Sequence, residues 1–178
     1  MDLASLQAQL DQVGHKHPPV EKWNPDFCGD IDLTIKHDGQ WFYMGTPIGR
    51  ASLVKLFASV LKKEDDNYFL VTPVEKVGIE VVDVPFLVTQ WREENGYLIF
   101  TTNVDDEVIV SAQHPVVLAQ DKYSGDTLPY VSIRRNLMAR LHQNVFYQLA
   151  DIGNEVRIDG EDHLTLVSGD YQFSLGML

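Results

Sequence analysis

The sequence predicts an α+β protein of two similar subdomains, each a β-hairpin, helix and strand unit with mostly antiparallel sheets, preceded by a short N-terminal helix. Three observations predict it. Apolar residues alternate with polar ones in short runs separated by glycine-bearing turns, as half-buried strands do. Two stretches, Arg50 to Lys63 and Leu137 to Leu149, repeat apolar residues at helical spacing. The chain leading into each of these stretches is also similar.

Taken in order, Asp2 is a side chain suited to an N-cap, and Leu3, Leu6, Leu10 and Val13 follow at the spacing of one helix face. The run from His15 to Asp30, HKHPPVEKWNPDFCGD, is rich in proline and polar residues that block helix and ladder hydrogen bonds, so it reads as a connector. Alternation starts at Ile31, Leu33 and Ile35, breaks at His37-Asp38-Gly39 and resumes in QWFYM, which is the pattern of a hairpin. From Arg50 to Lys63 the stripe Leu53, Val54, Phe57, Val60 and Leu61 predicts a buried helix that ends at Glu64-Asp65-Asp66-Asn67.

Strands are expected at Tyr68 to Thr72, Val77 to Val82, Phe86 to Trp91 and Tyr97 to Thr102, the last two joined by Glu94-Asn95-Gly96. Shorter strands fall near Val108 and Val116. A second helix is read from Leu137, Met138, Leu141, Val145, Phe146 and Leu149, with Gly153 as its stop. Strands near Val156, Leu164 and Phe173 finish the chain. The expected division is 1–29 for helix and connector, 30–84 for the first subdomain and 85–178 for the second.

TPIGRASLVKLF and YVSIRRNLMARL share an isoleucine shortly before an arginine and a leucine three positions after it, Arg50 to Leu53 and Arg134 to Leu137. Any amphipathic helix entered from a strand gives some of this pattern, and a duplicated unit gives all of it. Charge is distributed unevenly around the same places. Gly39 to Lys63 and Thr127 to Ala150, 49 residues together, contain no Asp or Glu, where even mixing would give about 7. A cation at a helix start opposes the helix dipole, so Arg50, Arg134 and Arg135 need a partner. Carboxylates such as Glu75, Glu80 and Asp83 are the ordinary partners. The alternative is an anionic ligand gripped by guanidinium forks and free helix N–H groups.

Bulk properties narrow the function classes. The 178 residues are 44% hydrophobic, enough for a substantial core. A formal charge of −12 argues against binding a nucleic acid polymer. No segment has the apolar length of a membrane span, the start lacks the features of a leader, and the lone Cys28 makes no internal disulfide, so a cytoplasmic protein is expected.

Chemistry-bearing motifs are sparse. There is no Walker loop, no GxGxxG after a strand and no GxSxG elbow. His15 and His17, with Asp26, Cys28, Asp30 and Asp32 downstream, lack a second paired-ligand motif, so no metal is assigned. Cys28 would need a histidine such as His37 or His114 nearby to act as a nucleophile. TPVEK, Thr72 to Lys76, and DVPF, Asp83 to Phe86, place polar groups around a proline at a strand end.

Together DGQWFYMGTPIGR, the helix containing LVKLF, YFLVTPVEK and DVPF resemble, in this order, a bacterial family numbered 1285 among the domains of unknown function. The resemblance spans most of the chain and is clearest from Gly29 to Phe86. Its matching positions are Trp41, Tyr43, Pro47, Ile48 and Arg50, then Thr72, Pro73, Glu75 and Lys76, then Asp83, Pro85 and Phe86; the connector from His15 to Pro25 has no match. The resemblance implies a duplicated α+β architecture with a second domain loosely like pleckstrin-homology folds. It also implies a small, nucleotide-like ligand in a cleft between domains and a role in signalling. It transfers no catalytic residue and no cofactor.

The expected function is therefore a ligand-binding or regulatory module for a small anionic molecule. Arg50 supplies the bidentate anion contact, Lys76 a point charge, Tyr43 or Trp41 an aromatic wall, and Thr72, Glu75 and Arg134 complete the candidate set. One alternative is an enzyme without a standard motif, with Glu75 as general base beside Lys76 and Asp83. Another is an interaction module that forms homo-oligomers through the N-terminal helix and sheet faces.

Overall fold

The computed structural model describes residues 2–12 and 17–178. The chain divides into two compact units, Met1–Val82 and Asp83–Leu178. Among the described residues no helix is long and apolar enough to cross a membrane.

The first unit opens with α1, Leu3–Asp11, where Asp2 is the N-cap and its Oδ1 accepts from the Ser5 N–H at 2.8 Å. Leu6 and Leu10 are buried and α1 packs on α2, Ala51–Ala58. Val13, expected on the same stripe, lies outside the described residues, as does His15. Six strands follow in the sequence β1 Phe27–Ile35, β2 Trp41–Tyr43, β3 Thr46–Pro47, β4 Leu61–Glu64, β5 Asn67–Val71 and β6 Lys76–Val81. They form one sheet in the order β3-β2-β1-β6-β5-β4, in which only β1 and β6 run parallel. Leu33, Ile35, Trp41, Leu61, Leu70 and Val77 are buried, as are Phe57 and Ala58 of α2.

The expected helix to Lys63 is shorter than the stripe suggested. It stops at Ala58, and Leu61–Glu64 pair with β5, Leu61 opposite Leu70. The Ser59 hydroxyl donates to the Leu56 carbonyl at 2.5 Å, and the Val71 N–H reaches the Val60 carbonyl at 3.1 Å, so Val60 already belongs to the sheet connection. Buried apolar residues at 57, 60 and 61 satisfy either period, and β-branched Val60 with a free sheet edge tips the choice to strand.

The second unit contains β7 Phe86–Glu94, β8 Tyr97–Thr102, β9 Glu107–Ile109, β10 Val116–Gln120, β11 Thr127–Arg134 and β12 Leu137–Leu141. These form a sheet ordered β10-β11-β12-β7-β8-β9, with β12 and β7 parallel. Then come α3, Gln143–Ile152, and a three-stranded antiparallel sheet of β13 Asn154–Ile158, β14 Glu161–Ser168 and β15 Tyr171–Met177. The β7–β8 turn places Asn95 and Gly96 at φ 53° and 82°, the left-handed pair that a two-residue hairpin requires.

The second predicted helix needs a correction. Leu137, Met138 and Leu141 lie on β12, Arg135 turns the β11–β12 hairpin at φ 53°, and the helix begins only at Gln143. Leu137, Ala139 and Leu141 are buried, and so is Arg140 between them. A strand covered on both faces loses its polar alternation and reads like a buried helix face.

The duplication is real, but it pairs different elements from those the sequence echo suggested. Each six-stranded sheet is two three-stranded meanders whose first and last strands lie parallel at the centre: β1 beside β6, and β7 beside β12. In the first unit α2 joins the two meanders, whereas in the second residues 110–115 join them without a helix. Helix α3 follows the second meander and so has no counterpart in α2. The likeness of TPIGRASLVKLF to YVSIRRNLMARL therefore sets a helix entrance beside a hairpin turn.

Candidate functional site

The entrance to α2 is built by a tight loop. Met44 and Gly45 reverse the chain at φ 51° and 80°, and the Ile48 N–H donates to the Trp41 carbonyl at 2.8 Å, fixing Gly49-Arg50 at the helix start. Arg50 occupies the N-cap position in an extended conformation, and no side chain caps the helix. Its carbonyl accepts from Leu53 and Val54, while the first turn contains no acid. Arg50 is exposed, and no carboxylate among the described residues pairs with it. Two of its expected partners are engaged elsewhere in the unit. A Glu75 oxygen accepts from Gln9 Nε2 at 2.8 Å, and a Glu80 oxygen from the Thr34 hydroxyl at 3.5 Å. The entrance therefore keeps free N–H groups, a guanidinium and no competing anion.

Of the two aromatic candidates, Tyr43 is half-buried and Trp41 is buried. Trp41 serves the core, yet its Nε1 finds no hydrogen-bond acceptor among the described residues.

The Thr72–Lys76 turn has its own local logic. Thr72 is fully buried; its hydroxyl accepts from the Val74 and Glu75 N–H groups at 3.3 and 2.9 Å, and its N–H donates to the Glu75 carbonyl at 2.8 Å. Threonine is placed here to satisfy turn donors. Lys76 points to the other partner of its sheet: its Nζ lies 2.7 Å from both Glu64 oxygens and 4.3 Å from the centre of the Phe69 ring, which in turn packs edge-on against Phe27. The structure thus joins Thr72 and Glu75 in one turn and directs Lys76 to Glu64.

Arg134 belongs to the second unit, at the end of β11. Its Nε donates to Asp106 at 3.2 Å and its guanidinium lies 4.9 Å from the Phe86 ring centre; burial pulls its pKa down, against the pull of Asp106.

Asp83, offered by the sequence as a partner for Arg50, Arg134 or Arg135, belongs to a buried network of this unit that includes Arg140, a residue sequence reasoning passed over. Asp83, 4% exposed, accepts from the Tyr130 hydroxyl at 2.7 Å, from Arg140 Nη1 at 3.4 Å and from the Lys122 N–H at 3.1 Å. Beside it Asp121, also buried, accepts from the Tyr123 N–H and the Ser124 hydroxyl, both at 2.9 Å, and so shapes the β10–β11 turn. The two carboxylates gather hydroxyl, guanidinium and backbone donors, which is the arrangement of a fold-holding network. The signal in the sequence was Asp83 within DVPF; Arg140 was hidden in an apolar run.

Burial first, and the hydrogen bond to Asp83 second, push the Tyr130 hydroxyl far above the ordinary tyrosine range. The folded state then holds this proton more tightly than the unfolded chain. Its contribution to stability is complete below the unfolded value of about 10 and is lost as the pH rises above it. Unfolding free energy measured between pH 9 and 12 is expected to fall less steeply in Tyr130→Phe than in the wild type.

The remaining candidates make local contacts. Cys28 is exposed, with Sγ 3.3 Å from the Asp26 carbonyl, and His114 Nδ1 lies 3.0 Å from the Ser132 carbonyl. A groove of about 440 Å³ in the first unit is lined by Asp30, Asp66 and Glu80 over Ile31, Ile79 and Val81. Its three carboxylates repel anions, so an anionic ligand is better served at the α2 entrance.

Two family models match the chain. One, described as the N-terminal domain of the domain of unknown function DUF1285, matches residues 18–84, and one described as the C-terminal domain of the same family matches residues 85–175. The solved structure of a DUF1285 family protein from Silicibacter pomeroyi DSS-3 is 42% identical over 97% of this chain and 95% of that chain, with a TM-score of 0.84. Another, from Shewanella baltica OS155, is 30% identical over 68% of this chain and 92% of that chain, with a TM-score of 0.55. No curated protein matches.

Proposed function

The chain belongs to the DUF1285 family, and from that premise we propose that it is a ligand-binding or regulatory module that takes a small anionic molecule at the entrance of α2. The observation that carries this reading is the state of Arg50: exposed, without a carboxylate partner among the described residues, and placed at an uncapped helix start with no acid in its first turn. In a protein of formal charge −12 an anion needs a local reason to bind. The planar fork of Arg50 and the free N–H groups of α2 supply one, suited to a carboxylate or phosphate. Phosphate-bearing molecules, nucleotides among them, fit this chemistry.

The acid–base enzyme reading has less support. Glu75 is hydrogen-bonded to Gln9, and Lys76 is held by Glu64 with its side chain 14% exposed.

Thermal unfolding in the presence of inorganic phosphate, AMP, ATP and glucose 6-phosphate tests the proposal. A ligand at a hundred times its Kd adds about 2.7 kcal/mol by mass action, a rise of several degrees. Arg50→Ala is expected to leave the unliganded melting temperature within about 1 °C, since exposed side chains contribute little, and to abolish the rise. No shift with any of the four anions, or an equal shift in the variant, removes the proposal.

A further inference from the structure

We propose that α1 is a displaceable strap: it packs on α2, holds Glu75 of the Thr72–Lys76 turn through Gln9, and lifts away while the rest of the first unit stays folded. This does not depend on the anion reading of Arg50.

Four observations meet here. Nine residues is below the length at which a helix is stable in water by itself, and α1 has neither an acid in its first turn nor a base in its last. Its order therefore comes from docking, and docking rests on two buried side chains, Leu6 and Leu10, with Leu3 only half-buried. Gln9 stands at i+3 from Leu6 on that same face, where an apolar residue would be expected. Its Nε2 reaches Glu75 at 2.8 Å, but its buried Oε1 has no donor among the described residues.

An orphaned buried carbonyl favours the undocked state, in which water satisfies it. Glu75 loses little on release, because it is half-exposed and water replaces the amide. Segments with few buried contacts open independently of the core to which they are attached. Undocking therefore uncovers the seat of Leu6 and Leu10 on the first unit and frees the Glu75 carboxylate. The two events are coupled, so whatever engages either one shifts the strap.

Residue-level hydrogen exchange on the full chain tests this, by comparing amides of α1 with those of β1, β5 and β6. The amides of α1 are expected to exchange at least about 100-fold faster than the sheet amides. Gln9→Leu removes the orphaned carbonyl and places an apolar group on the docked face; it is expected to slow exchange in α1 about threefold or more while leaving the sheet unchanged. Two results overturn the proposal. In one, α1 exchanges at the rate of the sheet, so that it opens only with the whole unit. In the other, Gln9→Leu leaves α1 exchange unchanged or speeds it, so that the Gln9 amide holds the helix down.

Discussion

Asp83→Ala is expected to destabilise the second unit by about 3–5 kcal/mol, as breaking a buried charged pair from one side does. The loss is large because one carboxylate serves three donors from three places: the Tyr130 hydroxyl on β11, Arg140 on β12 and the Lys122 N–H in the turn after β10. Removing it strips the compensating charge from beside Arg140, which is only 7% exposed. For a domain of this size the melting transition of the unit should fall by more than about 10 °C. Tyr130→Phe removes a single hydrogen bond and should cost only about 1 kcal/mol. Calorimetry on both variants gives the comparison; equal small losses would mean that Asp83 is not the centre of the network.

Phe57→Ala should cost about 3–5 kcal/mol in the first unit, the range for emptying a fully buried aromatic site. Phe57 has no exposed surface and is the largest core residue of α2. Because it seats the helix whose entrance bears Arg50, its loss should also weaken any phosphate-induced stabilisation. Arg50→Ala is expected to do the reverse, losing the response while keeping the stability. Denaturant unfolding of the two variants, each with and without phosphate, separates a damaged scaffold from a damaged site.

What was legible in the sequence was local. Asp2 announces the start of α1 because a carboxylate three residues before a free N–H caps it in any context. Asn95-Gly96 announces a hairpin because few other pairs accept two left-handed residues. Arg50 was recognisable as a helix entrance for the same reason: the break after Pro47 and Gly49 precedes an apolar stripe. Thr72 and Glu75 belong together because they are three residues apart in one turn.

What failed was any reading that depended on which face is covered. Residues 61–63 and 137–141 read as helical because buried residues at those positions fit either period, and only the neighbouring strands β5 and β11 decide for the sheet. The same misreading made Arg134 and Arg135 look like a second helix entrance and set the duplication in the wrong register.

By itself, then, the sequence determined the α+β class, the caps and turns, the acid-free stretch around α2 and the family to which the chain belongs, since each is written in residues close together along the chain. Tertiary structure alone decided that the repeat is a pair of meanders closed by a parallel central pair. It also decided that Lys76 goes to Glu64, and that Asp83 gathers Tyr130 and Arg140 from 47 and 57 residues away. The physical reason is that a hydrogen bond or ion pair across strands is selected by burial and register, and neither exists until distant segments have met.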